Sequence, residues 1–431
     1  MRLGGRMAAA MDVLETIERQ KRPVAEVLKD WGASHRFAGS GDRAAIGNLV
    51  YDALRRKLSH AYLMDDDSPA ALVHATLFRQ WGIDAARLRA QLSDDKFAPD
   101  ALPEAALSAF GTRRLGDAPP HVQADIPEWI EFAFEENFGD DWIEEARALN
   151  QRPPLDLRVN TLKADRQKVQ KALARSNAEP TAIANFGLRI APGQGPSRLP
   201  NVTSEPAFAK GWFEVQDEGS QIVSELIYAR PGEQILDYCA GGGGKTLALC
   251  AMMENKGQVH AWDIDRTRLS PIFERLKRAG TRNVQVHDAD ADLGPLIGRM
   301  DRVVIDAPCS GTGTWRRRPD TKWKLTQKNL EARLTQQQDV LAAAAAYVRP
   351  GGFLIYITCS VLPQENEAQI YSFCEDDGDF ELVSAGEVWQ DLFGADKPQP
   401  WSADMKTITM TPASTGTDGF FFAVMQRRQE G

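Results

Sequence analysis

The chain reads as an α/β protein whose C-terminal half is a doubly wound sheet, preceded by a small α+β segment and an all-α segment. Three observations predict this. From about residue 212, short apolar runs alternate with helical patterns, as strand–crossover–strand units do. A glycine-rich turn, Asp237-Tyr238-Cys239-Ala240-Gly241-Gly242-Gly243-Gly244-Lys245-Thr246, joins the first such strand to the first such helix. Two cysteines, Cys309 and Cys359, stand at the ends of two later strands.

Residues 1 to about 115 read as helical. Val13, Leu14 and Ile17 share a face, as do Val24, Val27, Leu28 and Trp31. Between Asp42, a predicted N-cap, and Arg56, the residues Ile46, Leu49, Val50, Ala53 and Leu54 recur at helical spacing. A bundle follows, serving as a scaffold, with a basic face around Arg55, Arg56 and Lys57 as a candidate RNA contact. Pro119, Pro120 and Pro127 mark a linker, because proline does not suit a helix interior. A helix carrying Trp129, Ile130, Phe132 and Phe134 comes next, then a strand over 155–160 and a helix over 166–176. These pieces predict a small α+β domain. The expected division is a helical domain over 1–118, the α+β domain over 119–211 and the doubly wound domain over 212–431.

In that last domain, strands are expected at 234–238, 258–262, 284–287, 302–305 and 353–357, and near 380–383 and 419–425. Helices are expected at 245–253, 267–279, 326–348 and 363–375. The glycine turn, Asp263, Asp288, Cys309 and Cys359 all fall at the carboxyl ends of strands, where open sheets of this kind bind ligands.

Composition narrows the class. With 43% hydrophobic and 26% charged residues the chain has the balance of an ordinary globular protein. No apolar run approaches the roughly 20 residues of a membrane span. Asp12 and Glu15 follow the N-terminal arginines Arg2 and Arg6, which argues against a targeting segment. Five thinly spread cysteines make no disulfide framework and point to a reducing cytoplasm; Cys250 and Cys374 read as packing residues. With six scattered histidines and no C-x-x-C pair, no metal is expected. A net charge of -9 does not advertise a nucleic-acid binder, but binding uses local patches. One such patch is Trp315 to Lys324, with five basic residues and two tryptophans in ten positions. It is either a solvated loop or a surface that pairs cations with phosphates and indoles with bases.

The chemistry follows from what sits at the strand ends. Glycines let backbone approach a ligand closely. Asp263 is placed to accept from two ribose hydroxyls and Asp288 suits an adenine amino group, so NAD and S-adenosylmethionine both fit. The spacing of a phosphate loop before Lys245 is absent. Two thiols discriminate. Carbon 5 of cytosine takes a methyl group only after a thiolate adds to carbon 6 and makes the ring an enamine. A base then removes the carbon-5 proton so that the thiolate leaves. The chain offers two thiols and a carboxylate, Asp306, three residues before Cys309.

These residues carry a resemblance. Asp306-Ala307-Pro308-Cys309-Ser310-Gly311-Thr312-Gly313, then Arg317-Arg318-Pro319-Asp320 and Lys322-Trp323, then Thr358-Cys359-Ser360-Val361 with Pro363, Glu365 and Asn366, resemble the RsmB/Sun (Nop-type) RNA cytosine-5 methyltransferases over roughly 125–428. Arg158-Val159-Asn160-Thr161-Leu162-Lys163 and Gln216-Asp217-Glu218-Gly219-Ser220-Gln221 are similar to that family's second domain and its joint to the catalytic one. The resemblance implies a NusB-like helical domain, an RRM-like α+β domain and a Rossmann-like class I methyltransferase domain. It implies that Cys359 attacks the base, that Cys309 serves release, and that Asp306 contacts base and methyl-donor pocket. S-adenosylmethionine would be held by Cys239, Ala240, Gly241, Gly242, Gly243, Gly244, Lys245, Asp263, Asp288 and Asp306. RNA would be contacted at Pro308, Arg317, Arg318 and Lys322. Gly242 departs from the family's usual proline; that loosens the unfolded turn by about 0.4–1 kcal/mol and is expected to lower cofactor affinity. The expected partner is ribosomal RNA, with transfer RNA as the alternative substrate, and the expected state is a cytoplasmic monomer. An RNA-binding assembly factor with incidental methylation, or a small-molecule methyltransferase, are the competing readings.

Overall fold

The computed structural model describes residues 1–429. They form two compact bodies. One comprises Met1–Pro153, Pro192–Leu199 and Trp315–Leu325; the other comprises Pro154–Ala191, Pro200–Thr314 and the chain from Thr326 on.

The first body is helical. Its opening helices, Leu3–Gln20, Val24–Ser34, Ser40–Arg55, Lys57–Met64 and Pro69–Arg79, bury the faces that the spacing predicts. Val13, Leu14, Ile17, Val27, Trp31, Ile46, Leu49, Val50 and Ala53 share one core with Leu72, Val73 and Leu77. Pro23 separates the first two helices, and Ser68 caps the fifth by accepting from Ala71 N. Asp42 is not the N-cap expected of it. Gly39 holds that position, and the Asp42 carboxylate is drawn instead to Arg6 at 2.8 Å and the N-terminal amine at 3.1 Å.

The helices Pro120–Ala124, Glu131–Phe138 and Trp142–Ala148, expected within an α+β domain over 119–211, pack with this body, whose first segment runs to Pro153. Across the expected boundary at 211/212 the small sheet and the large one lie in the same compact body. Ile183 and Ala184 of the small domain share a core with Ile222, Ile235 and Val259.

In the second body, β1 (Leu155–Val159), β2 (Glu179–Pro180), β3 (Gly187–Ile190) and β4 (Phe213–Val215) make an antiparallel sheet in the order β2-β3-β1-β4. The helix Arg166–Ala172 between β1 and β2 is capped by Asp165, which accepts from Lys168 N at 2.7 Å.

The large sheet contains β5 (Gln234–Asp237), β6 (Gln258–Ala261), β7 (Val284–Val286), β8 (Met300–Asp306), β9 (Val348–Thr358), β10 (Phe380–Leu382), β11 (Thr407–Met410) and β12 (Phe420–Arg427). Its order is β10-β12-β9-β8-β5-β6-β7, with β11 paired to β12. Strands β5 to β9 run parallel, whereas β12 is antiparallel to β9, β10 and β11. Alternate side chains serve the two faces: Ile235, Val304, Ile355 and Ile357 join one core, and Leu236, Val303, Ile305, Leu354 and Tyr356 the other. The chain winds outward from β5 to β7 and returns to the other side of β5 as β8. The carboxyl ends of β5 and β8 therefore flank the switch point, where such sheets take their ligands.

Several elements differ from expectation for local reasons. The helix expected over 267–279 is two, Arg266–Leu269 and Ile272–Ala279, interrupted at Pro271. The one expected over 326–348 is Gln327–Ala345, and β9 already begins at Val348. The helix expected from 363 starts as a 3-10 turn over Pro363–Glu365 and becomes α-helical from Glu367 to Asp376. No helix among the described residues is long and apolar enough to cross a membrane.

Candidate active site

Strand β8 ends at Asp306, followed by Ala307-Pro308-Cys309-Ser310-Gly311; β9 ends at Thr358, followed by Cys359-Ser360. The two strands are hydrogen-bonded neighbours in parallel register, Asp306 opposite Ile357, and Ala307 N donates to Ile357 O at 2.8 Å. This register carries the two turns out side by side, and the Sγ atoms of Cys309 and Cys359 lie 3.4 Å apart. Both thiols are half-buried.

Small polar side chains lace the turns together. Thr358 Oγ1 donates to Asn366 Oδ1 at 2.6 Å and accepts from Ser360 N at 3.1 Å. Asn366 Nδ2 donates to Ser360 O at 3.1 Å. Thr312 Oγ1 lies 3.0 Å from Ser360 Oγ and accepts from Val361 N at 2.9 Å. Gly313 N donates to Cys359 O at 3.0 Å, and a Cβ on Gly313 would sit 2.2 Å from Gly419 O, so only glycine admits the chain entering β12. The hydrogen bond to Cys359 pushes the Cys309 thiol well up, helped by burial and by the charge of Glu365. The neutral thiol is thus the favoured form of Cys309.

On the cofactor side, Gly241 (φ +49) and Gly243 (φ +80) occupy the left-handed region that favours glycine. Gly241 N donates to Asp263 Oδ2 at 2.9 Å, and Asp265 N to Asp263 Oδ1 at 2.8 Å. The Asp263 carboxylate is buried, and each oxygen keeps a lone pair for a further donor. Asp288 follows β7 and is exposed. Gly242 O accepts from Arg275 Nη1 at 2.5 Å, and Arg275 and Arg278 both pair with Glu214 of β4, at 3.1 and 2.6 Å. A guanidinium therefore braces the turn at the position where the family's proline is missing. Arg158 and Asn160 support the same region: Arg158 Nη1 donates to Gly244 O at 2.8 Å, and Asn160 Nδ2 to Ala279 O at 2.8 Å.

Lys245, in the first turn of the helix Gly244–Met252, joins the two halves of the site: its Nζ lies 2.6 Å from Asp306 Oδ2. Cys239 is half-buried, its thiol pushed up by burial and by Asp263, Asp306 and Asp237. Cys250 lies in the core, its thiol pushed up to about 12 by burial, and Cys374 packs half-buried against the other core.

The structure thus brings together Asp306, Pro308, Cys309, Cys359 and Lys245, with Cys239 to Gly244 and Asp263 on the neighbouring strand ends. Lys322 requires a correction. In the helical body it is fully buried, with Nζ donating to Arg55 O at 3.1 Å and Asn150 Oδ1 at 2.5 Å, so it is not a surface cation for phosphates. Around it Trp315 is buried in a stack on Phe134, Arg316 is buried, and Trp323 Nε1 donates to Leu54 O at 2.7 Å. The patch is largely a packing segment; Arg317 is half-buried and Arg318 exposed. Arg55 is also removed from the expected basic face, being buried against Asp52 at 2.9 Å.

Three residues were given no role from the sequence. Buried Glu365 accepts from Ser310 N at 2.7 Å and from Ser310 Oγ, and buried Gln337 holds Pro308 O at 2.9 Å. Glu365 was visible only as part of a motif, and Gln337 carried no signal within its helix. Asp237 closes β5 fully buried, accepts from Thr246 Oγ1 at 2.7 Å and is pushed up to about 6 by burial. Its Oδ1 has no partner among the described residues. An unpaired acceptor beside a glycine cradle, with carboxylates on the next two strand ends, fits a donor-rich nucleoside such as S-adenosylmethionine.

Comparison with known proteins agrees. The family model for the 16S rRNA methyltransferases RsmB/F matches residues 225–426, and that for the ferredoxin-like domain of the RsmF/B-like methyltransferases matches residues 126–194. The ferredoxin-like match agrees with the small RRM-like α+β domain expected there. The probable ribosomal RNA small subunit methyltransferase B of Synechocystis sp. is 36% identical over 311 residues, 71% of this chain and 67% of that protein. The ribosomal RNA small subunit methyltransferase B of Pectobacterium carotovorum is 34% identical over 304 residues, 69% of this chain and 65% of that protein. The match spans about two thirds of the length of these relatives. NSun6 from Pyrococcus horikoshii, solved with SFG, shares the fold with a TM-score of 0.61 at 22% identity, over 70% of this chain and 99% of that one. The chain belongs to the RsmB/F family of S-adenosylmethionine-dependent 16S rRNA cytosine methyltransferases.

Proposed function

We propose that this chain methylates carbon 5 of a cytosine in 16S ribosomal RNA, with Cys359 as the attacking sulfur and Cys309 as the group that frees the product. The observation that carries the reading is the 3.4 Å contact of the two sulfurs beside the Lys245–Asp306 ion pair. S-adenosylmethionine, when bound, supplies the methyl group. Asp237 and Asp263 would hold it along the glycine turn, with Asp288 at the adenine end.

Cys359 loses its proton to solvent, and the thiolate bonds carbon 6 of the base, which moves the ring's electrons to carbon 5. Asp306, whose side chain is 38% exposed, is open to a base, and Lys245 stabilises its charge. Once carbon 5 carries the methyl group, Cys309, having lost its own proton to solvent, would take the proton from carbon 5; the 5,6 double bond re-forms and Cys359 leaves as the thiolate. A base inside duplex RNA must first be extruded to reach these groups. Arg318, exposed, and Arg317 are the arginines proposed for RNA contact.

Single turnover with labelled S-adenosylmethionine and 16S rRNA tests the roles. Cys359→Ala abolishes transfer. Cys309→Ala transfers the methyl group but accumulates a covalent protein–RNA species that migrates slowly on a denaturing gel. The opposite pattern overturns the assignment.

A further inference from the structure

Two thiols in contact pose a question of which one ionises, and one buried carboxylate bears on it. Glu365 is fully buried and has no ion-pair partner among the described residues. Its carboxylate meets only neutral donors: Ser310 N at 2.7 Å, Ser310 Oγ, and Gln337 Nε2 at 3.1 Å. Gln337 Nε2 also donates to Pro308 O, at 2.9 Å. Every hydrogen bond to the carboxylate thus holds the turn Pro308–Cys309–Ser310, and none holds Cys359. Its own backbone is fixed from the other strand, because Tyr356 Oη donates to Glu365 O at 2.8 Å. A buried, uncompensated negative charge is costly, so its retention against one turn asks for a reason.

We propose that Glu365 is a positioning residue that divides the labour between the sulfurs: it holds the Cys309 turn and keeps Cys309 as the proton-bearing partner, so that Cys359 is the sulfur that ionises and attacks. The proposal rests on the covalent reading above. A thiolate on Cys309 would be repelled by the Glu365 carboxylate, which accepts from the N–H of the next residue, Ser310, at 2.7 Å. The titratable groups around Cys309 are Cys359, Glu365 and Tyr356; the side chain of Cys359 and the charge of Glu365 push its thiol up, the backbone of Cys359 acts in the opposite sense, and Tyr356 is held neutral by burial. With the proton held on Cys309, its S–H donates to the Cys359 sulfur across 3.4 Å and stabilises that sulfur as a thiolate. When Cys359 bonds carbon 6, its negative charge passes into the ring, and Cys309 is released to lose its proton to solvent for the second half of the cycle.

The test compares full-length Cys359→Ser with Cys359→Ser/Glu365→Gln. Glutamine preserves the volume and the acceptor for Ser310 N but removes the charge. Iodoacetamide labelling at pH 8, resolved by peptide mass spectrometry, reads Cys309 alone and needs no RNA. The expected result is labelling about tenfold faster in the double variant, a fall of about one pKa unit. Equal rates with unchanged thermal melting overturn the proposal while leaving the methylation reading intact; methylation by Cys359→Ala would overturn the reading itself. Should Glu365→Gln not fold, Ser310→Ala keeps the charge and removes one hydrogen bond. The covalent RNA species should then persist several-fold longer, and an unchanged lifetime overturns the proposal.

Discussion

Lys245 and Lys322 are both buried, at 5% and 0% exposure, and the chain treats them in opposite ways. Lys245 meets a carboxylate, Asp306, at 2.6 Å, and that carboxylate is itself open to solvent on one side. Lys322 meets a backbone carbonyl and an amide oxygen, with the charge of Asp125 acting at longer range, and burial pushes it down to about 7. A buried cation that faces a half-open anion is poised to act on whatever enters. One that faces neutral acceptors inside a helical core joins elements and gives up much of its charge. The same residue type thus marks the chemistry in one body and the packing in the other.

Removing the ion pair is the strongest way to sharpen this contrast. Lys245→Met leaves Asp306 without its cation where a base would bind, and single-turnover methylation should fall on the order of a hundred- to a thousandfold. The change in melting temperature should be modest, because the Asp306 carboxylate left without its cation is 38% exposed and keeps water as a partner. A rate within tenfold of the wild type would break the contrast, because Lys245 would then be a packing residue like Lys322.

The corresponding experiment on Lys322 reads stability against pH. Its folded value of about 7 lies below the ordinary lysine value of 10.5, so between the two the unfolded chain binds more protons. Stability therefore rises with pH above about 7 and levels off above 10.5; below 7 both states are protonated and the cost of the buried charge is fully present. Urea unfolding at pH 7, 8 and 9 should show the wild type gaining up to about 1.4 kcal/mol per pH unit relative to Lys322→Met. Parallel pH profiles for the two proteins would mean that Lys322 keeps its charge in the fold.

What separates these lysines was only partly legible in the sequence. The thiol turns were legible because several distinctive residues stand at adjacent positions: Asp306, Pro308, Cys309 and Ser310 on one strand end, Thr358, Cys359 and Ser360 on the other. The parallel sheet was legible because each strand is a short apolar run. Depth was not. Trp315 to Lys324 has the composition of a solvated basic loop, and nothing local records that Phe134 stacks on Trp315 or that Asn150 receives Lys322. Such partners lie more than a hundred residues away. The helix Ala385–Phe393 and β11 also escaped, since both are short and owe their form to packing against β12 and the core around Trp389.

Lys245 depends on the turn before it, and the smallest perturbation tests that dependence. Gly243 has φ +80, and a Cβ there would lie 2.5 Å from Ile272 Cγ1. Gly243→Ala should cost about 1–3 kcal/mol of stability from backbone strain, read by urea unfolding at fixed pH. It should also move the helix start that carries Lys245 and slow methylation. Gly242→Ala is the control, because its Cβ meets only the tip of Arg275 at 3.3 Å. Loss of stability in Gly243→Ala without loss of rate would mean that Lys245 finds Asp306 by charge alone. The contrast between the two lysines would then reduce to which acceptor each happens to meet, and the glycine turn would serve the cofactor only.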